Sequence, residues 1–189
     1  MKIKFNNRFP KTISFLTFFY LIFIVSCVAA NDAWKTYAFP EGKFKIQFPG
    51  QPEKQSQVIN SAVGELNMNI YLYDASKEKG DNYVYMVNFT DYPDTLVNSD
   101  STAILKTFYR NSIDGMVNNV HGKLLTETMV NYEKYSGREV RIEMKERGAI
   151  ITSRMFLIKN RIYIIEVITS TDKDFNTDIK KFLDSFKRD

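Results

Sequence analysis

Two short runs, residues 155–158 (Met-Phe-Leu-Ile) and 162–165 (Ile-Tyr-Ile-Ile), are separated only by Lys159-Asn160-Arg161 and are apolar at every position. A strand with water on one face alternates apolar and polar side chains, whereas a strand apolar at successive positions is covered on both faces. The tight reversal at Lys159-Asn160 makes the two runs neighbours in an antiparallel hairpin. The centre of this sheet therefore needs a layer on each side, which excludes an open one-sided sheet.

The sequence offers two helical covers. From Thr102 to Val117 the apolar residues Ile104, Leu105, Phe108, Tyr109, Ile113, Met116 and Val117 recur at helical spacing, with Asp100 or Ser101 placed to cap the first turn. Near the C-terminus Phe175, Ile179, Phe182, Leu183 and Phe186 form a second stripe, with Thr171 or Asp172 at the cap position. The expected fold is α+β, an antiparallel β-sheet flanked by helices in an α/β/α sandwich.

The other strands read by alternation. Phe44, Ile46 and Phe48 alternate with Lys43, Lys45 and Gln47 before Pro49-Gly50 stops the run. Residues 66–73 put Leu66, Met68, Ile70 and Leu72 on one face and Asn67, Asn69, Tyr71 and Tyr73 on the other; further strands are expected over 83–90, 123–131, 136–145, 150–158 and 162–169. With two-residue turns at Arg147-Gly148 and Lys159-Asn160, Val140, Ile142 and Met144 share a face with Ile151, Ser153 and Met155, and then with Ile164 and Glu166.

Residues 1–26 hold Lys2, Lys4, Arg8 and Lys11, no acidic residue, and an apolar run over 13–26, the layout of a secretory signal. The run ends in Ile24-Val25-Ser26-Cys27, which resembles the bacterial lipobox and makes Cys27, the only cysteine, the expected lipidation site. Two alternatives stand beside it: cleavage after Val28-Ala29-Ala30 to start the chain at Asn31, or an uncut anchor over 13–30. All three deliver residues 37–189 as one domain outside the cytoplasm, with 27–36 as a tether. Without the four basic residues of the signal, 26 Lys and Arg become 22 against 22 Asp and Glu, so the basic excess is no nucleic-acid footprint.

The order of several local strings resembles the PsbP-like superfamily, which includes an extrinsic photosystem subunit, a Ran-binding nuclear transport factor and many small bacterial exported proteins or lipoproteins. The strings are residues 42–49 (Gly-Lys-Phe-Lys-Ile-Gln-Phe-Pro), Gly64, Tyr92-Pro93, Gly137-Arg138-Glu139 and Asp184-Ser185-Phe186, together covering most of residues 37–187. The resemblance implies an antiparallel sheet with flanking helices and binding or accessory roles. It carries over no site.

Four candidate sites come from the residues themselves. Asn67, Asn69, Tyr71 and Tyr73 offer two amides and two aromatic rings on one strand face, the best candidate for ligand binding. Ser153 opposite Glu166 places a carboxyl on a largely apolar face, where burial raises its pKa. Glu139, Arg141 and Glu143 beside Arg154 form a charged ladder whose ordinary role is solvated pairing. His121, the only histidine, sits beside Gly122 with no nearby ligand or nucleophile, so it reads as a loop residue. No P-loop, GxGxxG, HExxH, GxSxG or CxxC pattern is present, and no cofactor or metal is expected. The expected function is a non-enzymatic, membrane-tethered binding or accessory module of the cell envelope, taking an envelope protein or a small ligand. The alternative is a secreted hydrolase-like enzyme with dispersed carboxylates near Glu166.

Overall fold

The computed structural model describes residues 34–61 and 63–189. The expected signal segment, the expected lipidation site Cys27 and most of the expected tether lie outside them. The described residues belong to one unit, Ala33–Asp189.

The elements in chain order are β1 (Lys35–Phe39), β2 (Phe44–Phe48), β3 (Glu53–Ser61), β4 (Gly64–Asp74), β5 (Asn82–Asp91), α1 (Thr102–Asn119), β6 (Lys123–Tyr132), β7 (Tyr135–Met144), β8 (Ala149–Ile158), β9 (Arg161–Ser170), α2 (Thr177–Asp184) and β10 (Lys187–Arg188). Seven strands form one sheet in the order β3-β4-β5-β9-β8-β7-β6, and three form a second in the order β1-β2-β10. Every pairing is antiparallel. The fold is α+β.

As the doubly apolar runs require, β8 and β9 lie in the interior of the large sheet and are covered on both sides. On one side α1 buries Tyr109 and Ile113 against Val140, Ile142, Met155 and Leu157. The Tyr109 hydroxyl donates to the Ser136 carbonyl at 2.7 Å and accepts from the Leu157 amide at 2.8 Å, tying the helix to β7 and β8 at one point.

The opposite cover differs from the expected single helix. The small sheet lays Phe44, Ile46 and Phe48 over the large one, and α2 adds Ile179, Phe182 and Leu183. The result is an aromatic layer in which Phe44 meets Tyr163, Phe89 and Phe186 at ring-centroid distances of 5.9, 6.3 and 5.5 Å, and Phe48 meets Phe182 at 5.0 Å. Helix α2 is short because it starts late. Its cap is Asn176 rather than Thr171 or Asp172, and the Asn176 side chain accepts from the amides of Asp178 and Ile179 at 3.1 Å while its own amide donates to Asn82 at 2.8 Å. Phe175 thus falls before the helix, out of the stripe assigned to it. After α2, β10 pairs with β2 at the surface, and the Asp189 amide donates to the Lys43 carbonyl at 3.1 Å.

The register carries one further correction. The β7–β8 turn holds four residues, with a short 3-10 turn at Lys145–Arg147 and Gly148 left-handed, so Val140 pairs with Ser153 and Ile142 with Ile151. Two extra residues shift the register by two, which leaves every side chain on its expected face. The two-residue reversal at Lys159-Asn160 stands as read, with Ser153 opposite Glu166. Strand β1 begins at Lys35, inside the expected tether.

Two family-like strings have plain packing reasons. A side chain at Gly42 would collide with the ring of Phe44, and the Gly42 carbonyl accepts from the Tyr163 hydroxyl at 2.8 Å. A side chain at Gly137 would collide with the Met155 carbonyl and the Phe156 ring of the neighbouring strand.

Candidate functional site: a neutral apolar cavity beside the first helix

After β5 the chain turns at Tyr92-Pro93, where the amides of Leu96 and Val97 donate back to the Pro93 carbonyl at 2.9 and 3.0 Å. This turn is fastened to the β8–β9 reversal. Tyr92 donates its amide to the Asn160 carbonyl at 2.8 Å and accepts from the Asn160 side chain at 2.7 Å; Ser99 and Lys159 exchange two more hydrogen bonds. Held this way, the segment turns Val97 into the core and leaves Leu96 57% exposed.

Between this segment, the first half of α1 and the β3–β4 turn lies a cavity of about 500 Å³. Its apolar walls are Val63, Tyr92, Leu96, Val97, Ile104 and Phe108; Ser61, Thr107, Asn111 and Ser112 supply hydroxyls and one amide, and none of the described lining residues is charged. The Tyr92 and Phe108 rings meet edge-on at 5.4 Å, and burial pushes the Tyr92 phenol above its ordinary value. Such a site binds by apolar contact with a few neutral hydrogen bonds. Sequence reasoning assigned Ile104 and Phe108 to the core stripe of the helix; both are only half buried because the 92–97 segment stands off from them. The one signal for the site was Tyr92-Pro93, which marks a turn but not where it is fastened.

The four β4 candidates share a face but not an environment. Tyr71 is 6% exposed, packed on Phe39 at 3.9 Å between ring centroids, and its hydroxyl donates to Glu41; burial first and that hydrogen bond second raise its phenol pKa. Tyr73 is half buried and donates to Glu78, a hydrogen bond that pushes its phenol up to about 12. Asn69 accepts from Ser56 at 3.0 Å, and Asn67 is exposed. The small sheet covers the tyrosine end of this face and leaves the asparagine end to solvent.

Glu166 and Ser153 meet across β8 and β9 on the α1 side, both buried. Burial raises the Glu166 carboxyl to about 7, and Ser153 offsets this only in part, since its hydroxyl makes no hydrogen bond of good geometry. The charged ladder is largely paired: Arg154 meets Glu139 at 2.6 Å and Asp184 at 2.9 Å, and Arg141 meets Asp174. His121 is exposed in a left-handed turn after α1. Among the described residues no group of three or more His, Cys, Asp or Glu side chains is placed to hold a metal ion.

No family model and no curated protein sequence matches the chain. Among solved structures it is similar to a Pseudomonas aeruginosa protein of unknown function, PA94, described as a putative regulator, with a TM-score of 0.32 and 8% identity over 74% of this chain and 85% of that one. It is also similar to the solution structure of cyanobacterial PsbP (CyanoP) from Synechocystis sp. PCC 6803, with a TM-score of 0.47 and 9% identity over 88% of this chain and 99% of that one, a member of the superfamily that the sequence strings resemble.

Proposed function

We propose that the chain is an exported, lipid-tethered binding module of the cell envelope, and that it holds a small apolar molecule in the cavity beside α1. The cavity carries the reading. At about 500 Å³ it falls within the roughly 300–1,000 Å³ range of small-molecule sites. Its uncharged lining fits an uncharged guest, because a charge there would be desolvated without a partner. The basic N-terminal residues, the apolar run and Ile24-Val25-Ser26-Cys27 support export and a diacyl anchor on Cys27.

Native expression of the full chain beside a Cys27→Ala variant tests the tether through intact mass and membrane partition. A diacylated N-terminus at Cys27, and release of the variant from the membrane, are expected; an unlipidated N-terminus at Asn31 defeats the tethered reading. Organic extraction of the natively purified protein tests the cavity. A co-purifying apolar compound should be present and should be lost in Ala103→Trp, which fills the mouth from an exposed position of α1. Extracts that are empty, or unchanged by that substitution, would count against it.

A hydrolase reading rests on Glu166, whose carboxyl is raised to about 7 opposite Ser153. Ser153 is 0% exposed, so a substrate has no approach to it, and the binding reading is preferred.

A further inference from the structure

On the opposite side of the large sheet from the cavity, where α2 leaves β7 and β8 partly uncovered, lies a cleft of about 280 Å³. Three independent oddities meet in it. Phe175 is held in the left-handed backbone region at φ 64°, a conformation bulky side chains avoid, and yet its ring is 76% exposed. Core packing therefore does not hold it there. Its ring lies under the Arg141 guanidinium, 4.0 Å from Cζ, and its amide donates to Asp174, the carboxylate that pairs with Arg141.

The second and third oddities are unpaired donors. Thr152 is 5% exposed and its hydroxyl has no partner among the described residues; Arg141 Nε is buried and also has none among them. Buried donors without acceptors are rare and mark either an error of packing or a missing partner. These two belong to residues directly opposite each other on β7 and β8, so they sit side by side. Adjacent donors, one from a guanidinium, complement the two oxygens of a carboxylate. The other cations of the lining are already paired, Arg154 with Glu139 and Asp184 and Lys180 with Asp184, so recognition falls to the two free donors, and Ile179 and Leu183 give the cleft an apolar wall.

We propose that this cleft binds a small monocarboxylate with an apolar tail, its oxygens on Arg141 and Thr152 and its tail against Phe175 and α2. Phe175 is the lid of the site. In the arrangement described, the two donors are closed off from water, so entry requires Phe175 to swing away, and leaving the left-handed conformation favours that motion. The site is separate from the apolar cavity, and neither depends on the other.

Amide NMR of the processed, full-length protein titrated with phenylacetate and with its neutral counterpart phenylacetamide tests the assignment. Phenylacetate should shift the amides of Thr152, Phe175 and Asn176 and leave those of Tyr92 and Phe108 unmoved, with phenylacetamide about tenfold weaker, the difference between a charge-assisted and a neutral hydrogen bond. Thr152→Val should weaken phenylacetate by a similar factor of about ten. Arg141→Lys, which keeps the charge but removes Nε, should weaken it as well, and it serves if the valine variant folds poorly. Equal binding of acid and amide, shifts confined to the α1 cavity, or binding untouched by both substitutions would overturn the proposal, as would no shift at all, which leaves ordered water as the partner of both donors.

Discussion

Replacing Glu166 with glutamine should alter how stability depends on pH more than it alters stability itself. The Glu166 carboxyl is buried on the α1 face of the large sheet among Met86, Ile164, Ile168 and Ser153, and burial raises it from 4.5 to about 7. The folded protein therefore holds a proton that the unfolded chain has released between those two values. A raised pKa contributes stability that is complete below pH 4.5 and declines as pH rises, with the decline ending just above 7. At about 1.4 kcal/mol for each pH unit, the interval amounts to roughly 3 kcal/mol. Other carboxylates act with the opposite sign: hydrogen bonds to Lys54 and Tyr71 lower Glu41, and one to Lys159 lowers Asp100, so their stabilisation is lost only in acid, below the ordinary carboxylate range. Urea denaturation at intervals from pH 5 to 8.5 isolates Glu166. The natural protein should lose roughly 3 kcal/mol across that window, less where the unfolded state is partly protonated, and Glu166→Gln should lose far less, overtaking it above neutrality. Parallel pH profiles for the two proteins would show that Glu166 is ionised and solvated when folded, and that its burial has been misjudged.

Three further perturbations probe the layers. Tyr109→Phe strands the Leu157 amide and the Ser136 carbonyl, and should cost about 1–3 kcal/mol in chemical denaturation, with faster amide exchange at Leu157. Phe182→Ala empties a fully buried site ringed by Trp34, Phe48 and Tyr85; a loss of roughly 3–5 kcal/mol in urea, with a weakened near-ultraviolet dichroism, is expected. Gly137→Ala sets a methyl against the Met155 carbonyl and should lower the thermal midpoint through about 1–3 kcal/mol of overpacking. An unchanged midpoint would mean that β7 and β8 can separate freely at that point.

What the sequence disclosed follows from where burial is periodic. Strands β8 and β9 announce themselves because both of their faces are dry, and α1 does so through its stripe from Ile104 to Val117. Strand β3 gives no such sign: it is an edge strand with Glu53 to Val58 all exposed, and its two apolar residues, Val58 and Ile59, are adjacent and so show no alternation. Strand β1 is hidden similarly, since only Phe39 of its five residues is buried. Tyr71 and Tyr73 were placed on the right face of β4, but which layer covers that face depends on β1 and β2 folding back over it, a long-range event that no local pattern encodes. The cavity beside α1 was illegible for a related reason. It exists because Asn160 grips Tyr92 across 68 positions of chain, and single residues do not advertise such partners.

The pairing of β10 with β2 bears on the order in which the molecule can mature. Phe44, Ile46 and Phe48 are synthesised well before the side chains that cover them, Phe182 and Phe186, and before the strand beside β2 at 187–188. The aromatic layer therefore stays open until residues 182–188 are in place, so its closure waits on a contact that is remote in sequence and falls late in folding. Phe186 and β10 thus act as a latch: whatever pulls them from β2 reopens the aromatic layer over Phe44, Ile46 and Phe48, even with the large sheet intact.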